Sequence, residues 1–582
     1  MVAWSDLEQW RSDYLDESAN AGGDGRRRTR TQVEELAGHF DRFRSEGQAA
    51  DAMRGAGTAL QDDLDHLVQV ASEYMLACEE AADGVRRVEA KVRSAQEISA
   101  EIGYPIKEDG SLDPFVREYE NWTITVPGTM PTTQTTREQS YASIVKELKY
   151  GELQQYIADA LRIAEEVDAA LEKRLSALAN GTFDGGGARE GRDSKSPGLP
   201  DDADPSWSPA EVSAWWHALS DAERQECIER DPATYGNLDG IDMASRDKAN
   251  RLVLHGYTDS GGNHVPGLIE KAEAAVAAAQ DKINNAGYQS PRESDLGAAL
   301  RLDLKNAQHD LEELRRLDAQ LQRTGADGAP TSLLVLDPSG ERLKAAVAVG
   351  DVDNAKNVAT FVPGMGTNVH DSIESYVDTA MRLQENTAAV SSSPRADTAV
   401  VAWLGYDAPQ NDVSVASTEK AEAGAPRLNN FLTGIKSWRW EGGGDLHQTV
   451  VSHSYGSTTA GLAMKDIGAG VVDDFIYTGS PGAGTSTVGS LGVDPSHVWV
   501  SAVEHLDWVK GIPPDQWESF GRDPVDLEGI QHLSGDASGA SSYHANYFGW
   551  IFANHSSYFD APAPGQHNEA LDDICRVIGG AK

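Results

Sequence analysis

The stretch Thr449-Val-Val-Ser-His-Ser-Tyr-Gly-Ser-Thr458 constrains this chain more than any other. A β-branched run, Thr449 to Val451, leads into Ser452-His453-Ser454-Tyr455-Gly456. A stretch of small, helix-compatible residues follows, from Ser457 to Met464. Strand, sharp turn and helix succeed one another within sixteen residues. The turn has the small-x-Ser-x-Gly form of a nucleophile elbow, with Ser452 in place of the usual first glycine. Small residues are needed because the serine backbone is strained and its neighbours pass close to adjoining strands. Ser454 is therefore the candidate nucleophile. Such a string recurs by chance in a chain with 56 glycines, so its meaning depends on what surrounds it.

From residue 331 onward, short apolar runs alternate with helical segments, the pattern of an α/β domain with a mostly parallel sheet. Leu333–Leu336 and Ala345–Val349 read as an opening hairpin. Strands follow at Asn357–Val362, Asp397–Leu404, Phe475–Thr478 and His497–Val503. A helix is expected at about 371–385 and a last one at 568–577.

A serine hydroxyl needs a general base, an acid to orient that base, and donors for the developing oxyanion. The chain order nucleophile, acid, base is available. Asp507 follows the 497–503 strand and is the expected acid, ahead of Glu504, Asp473 and Asp474; Asp474 falls at the wrong end of its strand. His555, in the loop before the final helix, is the expected base. His544 is its rival, and His532 and His567 stand further behind. His453 adjoins the nucleophile and is expected to line the pocket, with Thr367, or to satisfy a buried polar contact. Tyr455 and the loop Pro363-Gly364-Met365-Gly366-Thr367 are the expected oxyanion donors. That loop lacks the Gly-Lys-Ser/Thr ending of a phosphate-binding loop. The reading invokes no cofactor and no metal.

The remainder is mostly helical. In residues 1–180, apolar or small residues at 60, 64, 67, 71, 74, 78, 81, 85, 88, 92 and 95 form a continuous 4,3 seam. Val33, Leu36, Phe40 and Phe43 mark an earlier helix. Ser45-Glu-Gly-Gln-Ala-Ala between them predicts an antiparallel hairpin. Residues 181–205, rich in Gly, Pro and charge, read as a flexible linker. Residues 206–330 form a second helical region that packs on the catalytic domain at 331–582. It opens with Ser208-Pro-Ala-Glu211, a helix start.

With 582 residues, the chain is long enough for about three or four domains. The 92 acidic and 50 basic residues give a net charge of −42, which argues against nucleic acid or anionic membrane as partner. Three distant cysteines build neither a disulfide framework nor a zinc site. The N-terminus has no ordinary signal sequence and no stretch is apolar enough to span a membrane.

Residues 206–582 are similar to an actinobacterial α/β-hydrolase family known mainly as a domain of unknown function. The similarity rests on Trp215-Trp216 with Leu219-Ser220, Tyr235-Gly-Asn-Leu-Asp-Gly-Ile241 with Arg246 and Ala249-Asn250, Pro363-Gly-Met-Gly-Thr367, His453-Ser-Tyr-Gly456 and His555-Ser-Ser-Tyr558. It implies an α/β-hydrolase fold and a serine nucleophile. The N-terminal hairpin partly resembles the WXG-type substrates of type VII secretion, with Ser45 where those have Trp. The expected activity is hydrolysis of a small-molecule or lipid carboxylic ester. The alternative is a secretion-associated interaction or effector protein, partnered through its N-terminal helices, on a degenerate hydrolase scaffold. Location is expected to be cytoplasmic, or secreted without an ordinary signal peptide, including by a type VII route.

Overall fold

The computed structural model describes residues 2–42, 48–124, 134–139, 141–182, 202–259, 261–285, 295–325, 328–410, 415, 417–441, 445–502, 520–543 and 554–581. The turn around Ser45 and most of the 181–205 linker lie outside these residues.

Helices α1 (Trp4–Leu7), α2 (Asp13–Arg42) and α3 (Gln48–Ile102) open the chain. A two-stranded antiparallel ribbon of β1 (Tyr119–Ile124) and β2 (Gln134–Gln139) and then α4 (Tyr141–Ala179) follow. Two compact units emerge. One comprises 1–18 and 77–183, the other 19–76 and 184–582. In the first, the C-terminal half of the heptad seam is covered. Val88, Val92 and Ala95 of α3 pack with Leu153, Ile157, Ala160 and Ala164 of α4. In the second, the N-terminal half of the seam faces water: Leu60, Leu67 and Tyr74 are about half to one-third exposed, at 49%, 52% and 36%. The seam is continuous in sequence, but within 48–76 the buried side of α3 is a different one, with Val68, Ser72 and Met75 inside. The α2 residues of the second unit are held instead by the buried Arg26. Its guanidinium donates to Ser72 Oγ (2.8 Å) and to the Ala218 carbonyl (2.6 Å).

Helices α5 (Pro209–Ala218), α6 (Asp221–Arg230), α7 (Pro232–Tyr235) and α8 (Met243–His255) follow. The expected start of α5 is a reciprocal capping box: Glu211 N–H donates to Ser208 Oγ and Ser208 N–H to Glu211 Oε2. A small hairpin of β3 (Gly256–Thr258) and β4 (His264–Pro266), and the helices α9 (Leu268–Asn285) and α10 (Asp295–Leu321), complete this region.

The catalytic half then lays down β5 (Thr331–Asp337), β6 (Lys344–Val349), β7 (Asn357–Val362), α11 (Val369–Ser391), β8 (Thr398–Leu404), α12 (Glu419–Glu441), β9 (His447–His453), α13 (Tyr455–Asp466), β10 (Asp474–Thr478), β11 (Val498–Ser501), β12 (Gln531–His532) and α14 (Glu569–Ile578). One eight-stranded sheet results, in the order β12-β11-β10-β9-β7-β8-β6-β5. Strands β7 to β12 pair in parallel, and β6 and β5 are antiparallel. The expected opening hairpin is thus the edge of a mostly parallel sheet. Alternate strand residues feed two cores, as a pleat of period two requires. Val358, Val362, Val450, Phe475 and Tyr477 meet α12 and α13, while Ala359, Phe361, Val451 and Ile476 meet α11 and α14.

The edge strand β5 would present a row of unpaired backbone groups. Side chains of the 206–255 region satisfy them. Asn237 donates Nδ2 to the Leu336 carbonyl (2.9 Å) and accepts from Leu336 N–H (3.0 Å). Arg246 Nε donates to the Leu334 carbonyl (2.8 Å) and Asn250 Nδ2 to that of Leu333 (3.0 Å). Asp247 accepts from Leu333 N–H (2.6 Å). Arg246 also pairs with Asp239 at 2.6 Å. The Tyr235–Ile241 motif with Arg246 and Asn250 is therefore a clamp that seals the sheet. Its place in the sequence similarity is a matter of packing.

Candidate active site

The elbow lies where β9 gives way to α13 at the C-terminal end of the parallel strands. Ser454 has φ 55° and ψ −135°, and among the described non-glycine residues only Ser392 shares a positive φ. Strain of this kind costs about 1–3 kcal/mol and persists only where the surroundings enforce it. They do so here: Ser454 N–H is bonded to the Thr478 carbonyl of the adjacent strand (3.0 Å), and the Ser454 carbonyl accepts from Ser457 N–H (2.9 Å).

Each small residue of the motif has its own cause. A Cβ on Gly456 would lie 2.4 Å from the Pro363 carbonyl oxygen and 2.5 Å from that of Val362, so no side chain fits. Position 452 tolerates more. Ser452 is fully buried, and its hydroxyl donates to the Ile476 carbonyl (2.8 Å), which satisfies the group that replaces the usual glycine.

The loop after β7 folds over the serine. A Cβ on Gly364 would come within 2.6 Å of Ser454 Cβ. The loop is braced by Tyr406, whose hydroxyl donates to the Pro363 carbonyl (3.0 Å), and by Gln410, whose amide donates to the Thr367 carbonyl (3.0 Å). Thr367 is buried; its hydroxyl donates to the Gly364 carbonyl (2.7 Å) and meets Tyr376 Oη at 3.2 Å. Thr367 thus braces the loop. Gly366 N–H donates to the Pro409 carbonyl (2.8 Å), which removes it from the expected oxyanion donors. Among the described residues neither Met365 N–H nor Tyr455 N–H has an acceptor. Tyr455 N–H is also at the first turn of α13, where backbone donors are free and the helix dipole favours negative charge. The Tyr455 side chain runs elsewhere: its hydroxyl donates to the Ser417 carbonyl (2.6 Å), and burial pushes its pKa up to about 12.

The segment carrying His555 reaches the elbow. The His453 ring places Nε2 2.7 Å from the His555 carbonyl oxygen, and the two imidazoles are 4.6 Å apart. His453 is buried at 6% exposure, so it serves a buried polar contact, one of its two expected roles. Asn568 anchors the same segment from the other side. Its Oδ1 caps α14 by accepting from Leu571 N–H, while Nδ2 donates to the carbonyls of Ser557 (2.9 Å) and Asp560 (3.0 Å). In the sequence Asn568 marks only the start of the last helix; the available signal is an Asn just before an amphipathic helix. Asp507, Glu504 and His544 lie outside the described residues. Asp473 precedes β10 and Asp474 is its first residue, at the opposite end of the strand from the position beside Ser454. Asp474 is buried there and holds His447 (2.7 Å), His497 (2.9 Å) and Trp499 Nε1 (2.6 Å). His532 sits on the exposed edge strand β12, and His567 is exposed.

A cavity of about 590 Å³ opens beside the braced loop, lined by Asn368 and Gln410 together with Leu268, His309, Glu313 and Arg342. A larger one, about 770 Å³, is lined by Arg224, Lys248, Asp353 and Lys356. Lys356 precedes β7, so this second cavity is at the end of the sheet away from the elbow.

A mostly parallel sheet, a strained serine between strand and helix, and a glycine loop folded over that serine define an α/β-hydrolase domain. The chain belongs to the alpha/beta hydrolase family: the family model of that description matches residues 337–516. The uncharacterized protein Rv0963c of Mycobacterium tuberculosis is 36% identical over 233 residues, covering 39% of this chain and 84% of that protein. The uncharacterized protein Rv2079 of the same species is 29% identical over 342 residues, covering 57% of this chain and 49% of that protein. The chain thus spans about half the length of that relative. A crystal structure of a mutant of the esterase rPPE is 13% identical with a TM-score of 0.25, covering 53% of this chain and 94% of that one.

Proposed function

We propose that the chain is a serine hydrolase that cleaves carboxylic esters of small-molecule or lipid alcohols. Ser454 Oγ attacks the ester carbonyl as His555 accepts its proton, and the negative oxygen is held by the N–H groups of Tyr455 and Met365. His555 returns the proton to the leaving alkoxide, and Asp507 orients the imidazole. Water then attacks the acyl-enzyme with His555 as base, releasing the acid and restoring Ser454. The observation that carries this reading is the strained Ser454, with the N–H groups of Tyr455 and Met365 lacking an acceptor among the described residues. The braced loop supports it, since donors fixed in place before the reaction need no reorganisation as charge develops. Labelling with a fluorophosphonate probe tests it. Wild type reacts covalently and Ser454→Ala does not; equal labelling of both overturns the assignment.

One observation favours a second reading, an interaction role for the N-terminal helices on a hydrolase scaffold. The exposed residues Met53, Leu60, Leu67 and Tyr74 of α3 recur every seven positions and form an apolar stripe. A chain that fails to react with the probe, yet pairs through this stripe, follows the second reading.

A further inference from the structure

We propose that His453 is a positioning residue that locks the segment bearing the general base to the nucleophile's own strand. The inference rests on the serine-hydrolase reading, and it deepens it by naming what sets the distance between base and nucleophile.

His453 is the last residue of β9 and immediately precedes Ser454. Its main chain is fixed in the sheet opposite Thr478 of β10. The ring therefore has little freedom relative to the nucleophile. Its Nε2 lies 2.7 Å from the carbonyl oxygen of His555, 102 residues further along the chain. A carbonyl only accepts, so Nε2 carries the proton and donates. The ring is packed as well as bonded. Phe559 meets it edge-on at 5.6 Å and 90°, and Tyr558 at 6.3 Å and 63°. The same segment is held from behind by Asn568 and by Arg382, whose Nη1 donates to the Phe559 carbonyl (2.5 Å). His555 is thus suspended between a C-terminal anchor, Asn568, and an elbow anchor, His453. Only the second reports directly on where Ser454 stands.

A general base acts only within hydrogen-bond reach of the hydroxyl it deprotonates, and an error of about 1 Å costs about 100-fold in rate. Loss of the His453 donor is therefore expected to reduce acylation without removing any group that touches the substrate. Three variants separate this from plain loss of packing. His453→Ala removes donor and volume, His453→Leu keeps apolar volume without a donor, and His453→Gln places an amide donor at comparable reach.

The measurement is the pH dependence of fluorophosphonate labelling and of p-nitrophenyl ester hydrolysis in the full chain, alongside thermal melting. Expected are a fall of about 10- to 100-fold in kcat for Ala and Leu with KM nearly unchanged, a displaced acidic limb in the pH–rate profile, and recovery of most of the rate by Gln. Wild-type rates and an unchanged pH profile in a folded Leu variant overturn the proposal. So does a Gln variant that melts like wild type yet is as slow as Leu. Absence of labelling in the wild-type chain, by contrast, counts against the serine-hydrolase reading on which the inference stands.

Discussion

Gly364 and Ser454 are packed so closely that a methyl group on the glycine would sit 2.6 Å from the serine's Cβ. Real carbon atoms do not approach that near without bond-like overlap, so this contact fixes the distance between the glycine loop and the nucleophile. The loop has little freedom to retreat, because Tyr406, Gln410 and Thr367 hold the carbonyls on either side of it.

Gly364→Ala therefore pushes the glycine loop, and the Met365 N–H that follows, away from Ser454. The expected outcome is a loss of about 100-fold in ester turnover, with fluorophosphonate labelling slowed but still confined to Ser454. Steady-state kinetics on a p-nitrophenyl ester check it. An unchanged kcat means that the loop does not supply an oxyanion donor.

Ser454 holds a backbone conformation natural to glycine, and releasing that strain stabilises the fold. Ser454→Gly is expected to gain about 1 kcal/mol, the difference between relief of about 1–3 kcal/mol and the unfolded-state entropy cost of glycine. Activity is lost at the same time. Differential scanning calorimetry reads the result. A melting temperature below that of Ser454→Ala contradicts a strained elbow.

The clamp on β5 predicts a folding defect far from the chemistry. Asn237 both donates to and accepts from Leu336, so Asn237→Ala removes these two hydrogen bonds, along with one to the Ala233 carbonyl, and bares the sheet edge at Leu336. A destabilisation of about 2–3 kcal/mol follows if each bond contributes about 1 kcal/mol and buried partners are left unpaired. Aggregation rises through the exposed strand. Denaturant midpoints and light scattering measure both. Catalytic rates per folded molecule stay at the wild-type value.

The Asp474 cluster gives stability its own pH dependence. Burial alone would raise the Asp474 carboxyl, but hydrogen bonds from His447, Trp499 and His497 more than offset it and hold it below the ordinary range. Burial likewise opposes the charge on His447, yet the Asp474 contact raises its pKa. The carboxylate contributes stability above the ordinary Asp pKa of about 3.9, lost as pH falls through the depressed folded value. The imidazole contributes below the ordinary His pKa of about 6.5, lost as pH rises through the raised folded value. Both act together between about pH 4 and pH 6.5. Asp474→Asn should therefore cost most stability near the middle of that window and less on either side. A melting-temperature difference that does not vary with pH refutes the linkage.

Much of the hydrolase half was legible in the residues. The β-branched runs marked β5 to β11, because a strand buried on both faces must be apolar at nearly every position. The small residues around Ser454 marked the elbow, because a strained turn between strand and helix leaves no room for larger ones. Ser208-Pro-Ala-Glu211 marked a helix start, because its capping bonds close within four residues. The ribbon β1–β2, the hairpin β3–β4 and the two-residue strand β12 were harder to see, being too short for a periodic signal. The sequence also offered a heptad seam in α3, but periodicity states only that one face is apolar. Whether a neighbour covers it was decided by α4, which buries Val88, Val92 and Ala95 while Leu60 and Leu67 remain exposed.

What the sequence determined by itself about this protein is local: strands, helices, caps and the serine turn, each governed by interactions among residues close along the chain. What the tertiary structure alone decided is who meets whom across it. Gly366 lost its N–H to Pro409, Thr367 turned its hydroxyl to Gly364 and Tyr376, and His453 closed on the carbonyl of His555. Asn237 and Arg246 completed a sheet edge that begins more than eighty residues later. No spacing rule encodes such pairs. Hydrogen bonds and close contacts depend on separations of a few tenths of an ångström, and only the packed sheet brings residues so distant in sequence within that reach.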